Sequence, residues 1–124
     1  MKNVLLVGLG GFIGSMFRYL VALAVPFTAG GFPFATLTVN LLGSFIIGFV
    51  SELALSTTLI SPATRLLLTT GFCGGLTTFS TAMYETMGLG RDGEALYAGI
   101  YVAASLFGGM ACIFTGTLCA KLWQ

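Results

Sequence analysis

The stretch Thr69–Glu85, TTGFCGGLTTFSTAMYE, interrupts a strongly apolar segment with glycines and hydroxyl side chains. The pair Gly74-Gly75 disfavours helix, and the hydroxyls of the Thr77-Thr78 pair suit the cap of a new helix. The stretch lies near the middle of a segment long enough to form one helix. It therefore predicts a helix that breaks midway and restarts.

The composition of the chain indicates that lipid is its solvent. Only 7% of the 124 residues are charged, against roughly 25% in soluble domains, and the mean hydropathy is +1.00. A soluble domain of this length could not bury so much apolar surface. The net charge of +1 offers no basic face for nucleic acid. We therefore expect a membrane protein with a lipid bilayer, and no nucleic acid, as partner.

Four apolar spans divide the chain, and each is long enough to cross a bilayer, since about 22 residues give about 33 Å of helix. The first span stops at Pro26 and Gly30-Gly31, and Ser61-Pro62 is a helix-start signal for the third. The sequence predicts an all-α membrane protein in which residues 1–124 form a single four-helix transmembrane domain. The spans are about 4–25, 33–55, 62–87 and 95–122.

Glycines in the first span do not match a dinucleotide-binding turn. A G-x-G-x-x-G pattern from Gly8 requires glycine where Ile13 stands, and the acid expected about 20 residues later is absent. We therefore expect no enzyme and no catalytic residue. Gly10 and Gly14 instead predict a small-xxx-small face for close helix packing.

Small and polar residues also form stripes on the second and fourth spans. Asn40 stands out, because a side-chain amide inside a membrane needs a protein partner or a water-filled path. Packing alone explains the other positions equally well. The stripes are Thr36, Asn40, Gly43, Ser44, Gly48 and Ser51, and Tyr101, Ser105, Gly108, Cys112 and Gly116.

A break in the third span has two possible uses. Unwound backbone at membrane depth is tolerated only where it is buried in protein or lines a cavity. The carbonyl end of the first half favours a cation, whereas the amide end of the second half favours an anion. The alternative is a glycine kink that serves packing alone.

The stretch GFCGGLTTFST, residues 71–81, closely resembles the signature of the Fluc (CrcB) fluoride channels. Residues 10–19, GGFIGSMFRY, are similar to the first-helix motif of that family, and residues 36–44, TLTVNLLGS, to its second-helix motif. Chain length and the number of spans also match. The resemblance covers nearly the whole sequence.

The resemblance implies an antiparallel, dual-topology homodimer with two fluoride pathways and a structural sodium ion on the twofold axis. By similarity, the backbone carbonyls of Gly74 and Thr77 hold the sodium, and Arg18 lies in the vestibule or pairs with backbone. Asn40 donates its amide to fluoride, and Phe79 offers its positively polarised ring edge. The remaining residues of the implied fluoride pathway are Ser80, Thr81, Tyr101, Ser105 and Glu85.

The implied function is passive export of cytoplasmic fluoride through the bacterial inner membrane, which confers fluoride resistance. Neutral donors at several weak sites replace the hydration of a small anion without trapping it. Hydrogen fluoride enters cells as a neutral acid, so a passive exit for the anion is sufficient. The alternative is a small dual-topology proton-coupled multidrug-type exporter, which should carry a carboxylate in its first helix, where this chain has Arg18.

Charge distribution and one substitution complete the expectations. Lys2, Arg65 and Lys121 lie on one side and Arg91, with or without Arg18, on the other, so the positive-inside bias is weak and favours dual topology.

The family has F-S-T-F where this chain has Phe79-Ser80-Thr81-Ala82. The missing second ring is either natural variation or an engineered truncation, and it predicts weaker or less selective conduction.

Overall fold

The computed structural model describes residues 1–28 and 31–123, and these residues confirm the all-α prediction. The predicted stop at Gly30 lies outside the described residues. The α-helices are α1 (Lys2–Ala24), α2 (Phe34–Ser56), α3 (Pro62–Leu66), α4 (Gly74–Leu76), α5 (Phe79–Arg91) and α6 (Ala95–Leu122), and a π-helix (Leu67–Cys73) joins α3 to α4.

Within the described ranges, three helices, α1, α2 and α6, are long and apolar enough to cross a membrane. The third predicted span consists of two helical pieces. Residues 62–76 wind continuously as α3, the π-helix and α4, and we call them the first half-helix. The second half-helix is α5, and only Thr77 and Thr78 separate the two.

The first half-helix begins as predicted but ends later than the glycine pair. Ser61 is the N-cap, because its side chain accepts a hydrogen bond from the Thr64 N–H, and Pro62 follows it. Gly74 and Gly75 remain helical, and the chain becomes extended at Thr77 (ψ 156°) and Thr78 (φ −153°, ψ 124°). The predicted break is therefore confirmed, two residues beyond the glycines.

The second half-helix continues to Arg91, past the predicted end at Met87. Gly93 follows with φ 82°, a conformation that suits glycine. The Glu94 N–H then donates to the carbonyl of Leu89 (2.8 Å). This closing turn satisfies a free carbonyl of α5 and directs the chain into α6.

Glycine allows α1 to lie directly on the first half-helix. A Cβ at Gly10 would collide with the carbonyl oxygen of Leu67, and one at Gly14 with that of Phe72. The predicted packing face of α1 is therefore confirmed, and its partner is the helix that breaks. Helices α2 and α6 meet as closely, since a Cβ at Gly116 would collide with the Phe45 carbonyl.

Large apolar side chains cover the outer surface of the bundle. Phe12 is 65% exposed, Phe107 71% and Phe114 68%. A surface of this kind is stable in hydrocarbon and not in water. Together with the three apolar spans, it identifies the chain as a membrane protein.

Candidate functional site

The site is centred on the break between the two half-helices. Thr78 is the N-cap of α5, and its side-chain oxygen accepts a hydrogen bond from the Thr81 N–H (3.2 Å). The Thr78 hydroxyl donates in turn to Thr81 Oγ1 (3.1 Å). The break therefore has a defined geometry, and the predicted role of a threonine hydroxyl at this cap is confirmed.

Asn40 on α2 holds the extended backbone of the break. Its amide nitrogen donates to the Thr78 carbonyl (3.0 Å), and its amide oxygen accepts from the Thr78 N–H (2.7 Å). The side chain thereby supplies an acceptor for the Thr78 N–H and a donor for the Thr78 carbonyl at the break. One hydrogen of the Asn40 amide nitrogen remains for a further acceptor.

The break also redirects the partners of two backbone carbonyls. In a continuous helix, Gly74 and Thr77 would accept from the amides four residues later, those of Thr78 and Thr81. These amides donate instead to the Asn40 side chain and to the Thr78 hydroxyl. The carbonyls of Gly74 and Thr77 are thus released from helical pairing.

Arg18 on α1 binds the intervening carbonyl. Its Nε donates to the carbonyl oxygen of Gly75 (3.0 Å), and the side chain is half-buried. Of the two places predicted for this arginine, the structure shows the pairing with backbone. A cation at this position also complements the carbonyl end of the first half-helix.

One cavity, of about 460 Å³, lies between α2, the break, α5 and α6. Asn40, Phe79, Ala82 and Ser105 line it. The hydroxyl of Ser105 is buried and has no hydrogen-bond partner among the described residues. Because a buried hydroxyl normally has a partner, the Ser105 hydroxyl is an unused polar group beside this cavity.

A second cavity, of about 320 Å³, lies on the other side of Thr78, and Arg18, Thr81 and Glu85 line it. Glu85 accepts one hydrogen bond from the Thr36 hydroxyl and one from the Tyr101 hydroxyl, each of 2.7 Å. These two bonds fix the carboxylate on α5 to α2 and α6. We call the cavity of Asn40 and Ser105 the amide cavity and that of Arg18 and Glu85 the carboxylate cavity.

The two cavities contain most of the predicted site residues. Tyr101 is fully buried (0% exposed) and reaches the site through its bond to Glu85. Ser80 is exposed and lines neither cavity, although its hydroxyl lies 3.4 Å from Thr78 Oγ1. Gly74 is exposed, and a Cβ there would meet nothing within 4 Å.

Two contributing residues were not predicted as part of the site. Thr78 was expected only to cap a helix, yet its peptide is the group that Asn40 holds. Thr36 belongs to the polar stripe of α2, and the sequence alone assigns it no role. Thr36 stands four residues before Asn40 and therefore on the same helix face, and this spacing could have indicated that it belongs to the site.

The class of protein follows from three features described above. These are the apolar spans, the interrupted helix and the polar groups at the interruption. Backbone that unwinds at membrane depth is retained where it lines an ion or solute site. The chain is therefore a small helical membrane protein with a polar site at its broken helix. Among its described residues, no three Asp, Glu, Cys or His side chains cluster as metal ligands.

Comparison with known sequences identifies the family. The sequence model of the CrcB-like protein, Camphor Resistance (CrcB), matches residues 5–117. The chain therefore belongs to the Fluc (CrcB) family.

Several relatives named fluoride-specific ion channel FluC resemble the chain over its whole length. That of Chlorobaculum tepidum is 80% identical over 124 residues, which are 100% of this chain and 98% of the relative. That of Chlorobium phaeobacteroides strain BS1 is 58% identical, over 97% of this chain and 94% of the relative. That of Methanococcus maripaludis is 44% identical, over 99% of both chains.

Proposed function

We propose that the chain is a fluoride-selective passive anion channel that exports fluoride across the bacterial inner membrane. The observation that carries the proposal is the amide cavity, which brings together the Asn40 amide, the Phe79 ring and the unpartnered Ser105 hydroxyl. The names of the relatives described above support fluoride as the ion.

The groups in the amide cavity suit a small, strongly hydrated anion. The free N–H of Asn40 and the hydroxyl of Ser105 are neutral donors, and the rim of the Phe79 ring is positively polarised. Each donor replaces part of the hydration shell without binding the ion on a full positive charge. Weak sites in series let the ion leave as readily as it enters, which conduction requires.

The carboxylate cavity continues the proposed pathway beyond the break. Thr81 and Arg18 line it together with Glu85, and Thr78 lines both cavities. The Gly75 carbonyl already accepts the Nε–H of Arg18, so the arginine attracts an anion at this end with one fewer donor free to hold it. Ser80 and Tyr101 remain proposed pathway residues, Tyr101 acting through Glu85.

A sodium ion fits the released carbonyls as a structural ion. In the proposed dimer, Gly74 and Thr77 of both copies would hold it, because unwound carbonyls at the end of a half-helix are typical ligands of sodium in membranes. The ion would supply a fixed positive charge that joins the two breaks. The open surface at Gly74 supports this arrangement, since nothing within one chain covers it.

An antiparallel dimer is proposed for two further reasons. Phe79, which borders the amide cavity, is 74% exposed in the single chain, so a second copy is needed to enclose that side. One end of the bundle carries Lys2, Arg65 and Lys121, and the other carries Arg91, with or without Arg18. This weak bias permits both orientations. The proton-coupled exporter receives no support from the names of the relatives.

Efflux from liposomes tests the proposal. Vesicles that contain the purified chain and internal potassium fluoride should release fluoride when valinomycin carries potassium out, and vesicles loaded with chloride should not. Efflux should need no proton gradient. Equal release of fluoride and chloride, or release only with an imposed proton gradient, would contradict the channel.

A further inference from the structure

A third cavity, of about 650 Å³, lies at the end of the molecule where α2 ends and α3 begins. It shares no lining residue with either cavity at the break. Its polar lining consists of Arg65 and the hydroxyl residues Thr57, Thr58, Ser61, Thr69 and Thr70. One of the few charged residues of the chain, which is 7% charged, thus shares a cavity with five hydroxyl residues.

The polar groups of this cavity retain hydrogen-bonding capacity. Arg65 is exposed, and none of the described residues accepts a hydrogen bond from its guanidinium in the structure. The side chains of Thr58 and Thr70 likewise have no partner within the described part of the chain. By contrast, Thr69 donates its hydroxyl to the Arg65 carbonyl (2.8 Å), which anchors the arginine backbone on one side of the cavity.

The position of the cavity suits the membrane surface. It lies at the start of the third span, at the same end of the bundle as Lys2, where α1 begins, and Lys121, in the last turn of α6. Ala54, Ile60 and Leu66 form the apolar part of its lining. A cavity lined both by apolar side chains and by a cation matches the boundary between acyl chains and headgroups.

We infer that this cavity binds the phosphate group of an anionic phospholipid. The guanidinium of Arg65 forms paired hydrogen bonds with phosphate oxygens, and the hydroxyls of Thr58 and Thr70 donate to the remaining oxygens. The glycerol and the first acyl carbons lie against the apolar lining residues Ala54, Ile60 and Leu66. This site is independent of ion conduction, and its failure would leave the proposed function untouched.

Native mass spectrometry of the full chain in detergent tests the inference. Phosphatidylglycerol and phosphatidylcholine are added in equal amounts, and the retained lipids are counted. The unmodified protein should retain phosphatidylglycerol in preference, and Arg65→Gln should reduce that preference about fivefold, the effect of about one cation near an anionic membrane surface. Arg65→Lys should keep part of it.

Lys121→Gln is the matched control, because it removes one cation from the same end of the bundle outside the cavity. It should leave the preference unchanged, and an equal loss in both variants would overturn the site in favour of general electrostatic attraction. Thr70→Val, an exposed change that keeps the charge, should lower retention about twofold and guards against misfolding of the arginine variant. Displacement of the lipid by inorganic phosphate would overturn the lipid assignment.

Discussion

The side-chain amide of Asn40 and the backbone peptide of Thr78 form a reciprocal pair of hydrogen bonds, of 3.0 and 2.7 Å, across 38 positions of sequence. The pair replaces the helical bond that the Thr78 N–H gives up at the break and adds a donor at the Thr78 carbonyl. A residue of α2 therefore specifies where the third span unwinds. The same side chain faces the amide cavity, so one residue contributes both to the shape of the break and to the proposed ion site.

Asn40→Ala should abolish fluoride efflux and lower stability together. It removes the acceptor of the Thr78 N–H and a donor to the Thr78 carbonyl inside a membrane protein, and an unsatisfied group there costs about 1–3 kcal/mol. Thermal unfolding in detergent and efflux from liposomes measure the two effects. Thr38→Val is the control, since Thr38 is an exposed residue of the same helix that lines neither cavity. Normal efflux and stability in the Asn40 variant would refute the structural role.

Ser105→Ala should reduce efflux without loss of stability. Because the hydroxyl is buried and unpartnered, its removal spares a desolvation cost, and stability should stay level or rise by about 0.5–1 kcal/mol. Loss of one donor to the anion should slow efflux about fivefold. Thr115→Val, which removes an exposed hydroxyl of the same helix, should change neither quantity. A marked loss of stability in Ser105→Ala would show that the hydroxyl has a structural partner.

The carboxylate of Glu85 should be energetically coupled to Tyr101. Tyr101→Phe removes one of the two hydrogen bonds to that carboxylate and should destabilise the protein by about 1 kcal/mol, the usual scale for such bonds in membranes. In a double-mutant cycle with Glu85→Gln, the second change should cost less in the presence of the first. Strictly additive unfolding free energies would argue against this contact.

Gly14→Ala should prevent α1 from packing on the first half-helix. The added methyl group collides with the backbone carbonyl of Phe72, which cannot rotate away as a side chain would. We expect poor expression and a fall in Tm of several degrees, measured in detergent. Gly8→Ala, on the same helix, meets nothing within 4 Å and should be tolerated. Equal tolerance of the two changes would contradict the packing of α1.

Ala82→Phe should increase the rate or the fluoride selectivity of efflux. Ala82 is 3% exposed and lines the amide cavity, so a ring at this position projects toward the groups proposed to bind the anion. It would also restore the second aromatic residue of the family motif. Ala82→Leu adds volume without a polarised ring edge and serves as the control. Unchanged efflux in the phenylalanine variant would remove any role for this position.

Local sequence patterns were sufficient to predict the break, the threonine cap and the start of the third span. They depend on residues within four positions of each other, such as Ser61 with Thr64 and Thr78 with Thr81. The partners of Glu85 could not be predicted, because Thr36 is 49 positions away and lies on another helix. The same holds for Asn40, which was expected to bind an ion and also supports the break.

The residue at which the first half-helix ends could not be predicted from the sequence either. Gly74 and Gly75 were expected to end the helix, yet Gly75 is pressed against the backbone of Gly11, where a side chain would not fit. Close packing with α1 thus outweighs the low helix propensity of glycine. The fluoride contacts are proposals that the efflux experiments above address.

The π-helix Leu67–Cys73 determines how the residues that follow it in the third span are rotated about the helix axis. A π turn closes its hydrogen bond over five residues rather than four, so each residue advances less around the axis than the 100° of an α-helix. If these residues formed an α-helix instead, Gly74, Thr77 and Thr78 would point in a different direction around the helix axis. The π-helix, which ends about one turn before the break, therefore determines the orientation of the carbonyls of the break around the helix axis.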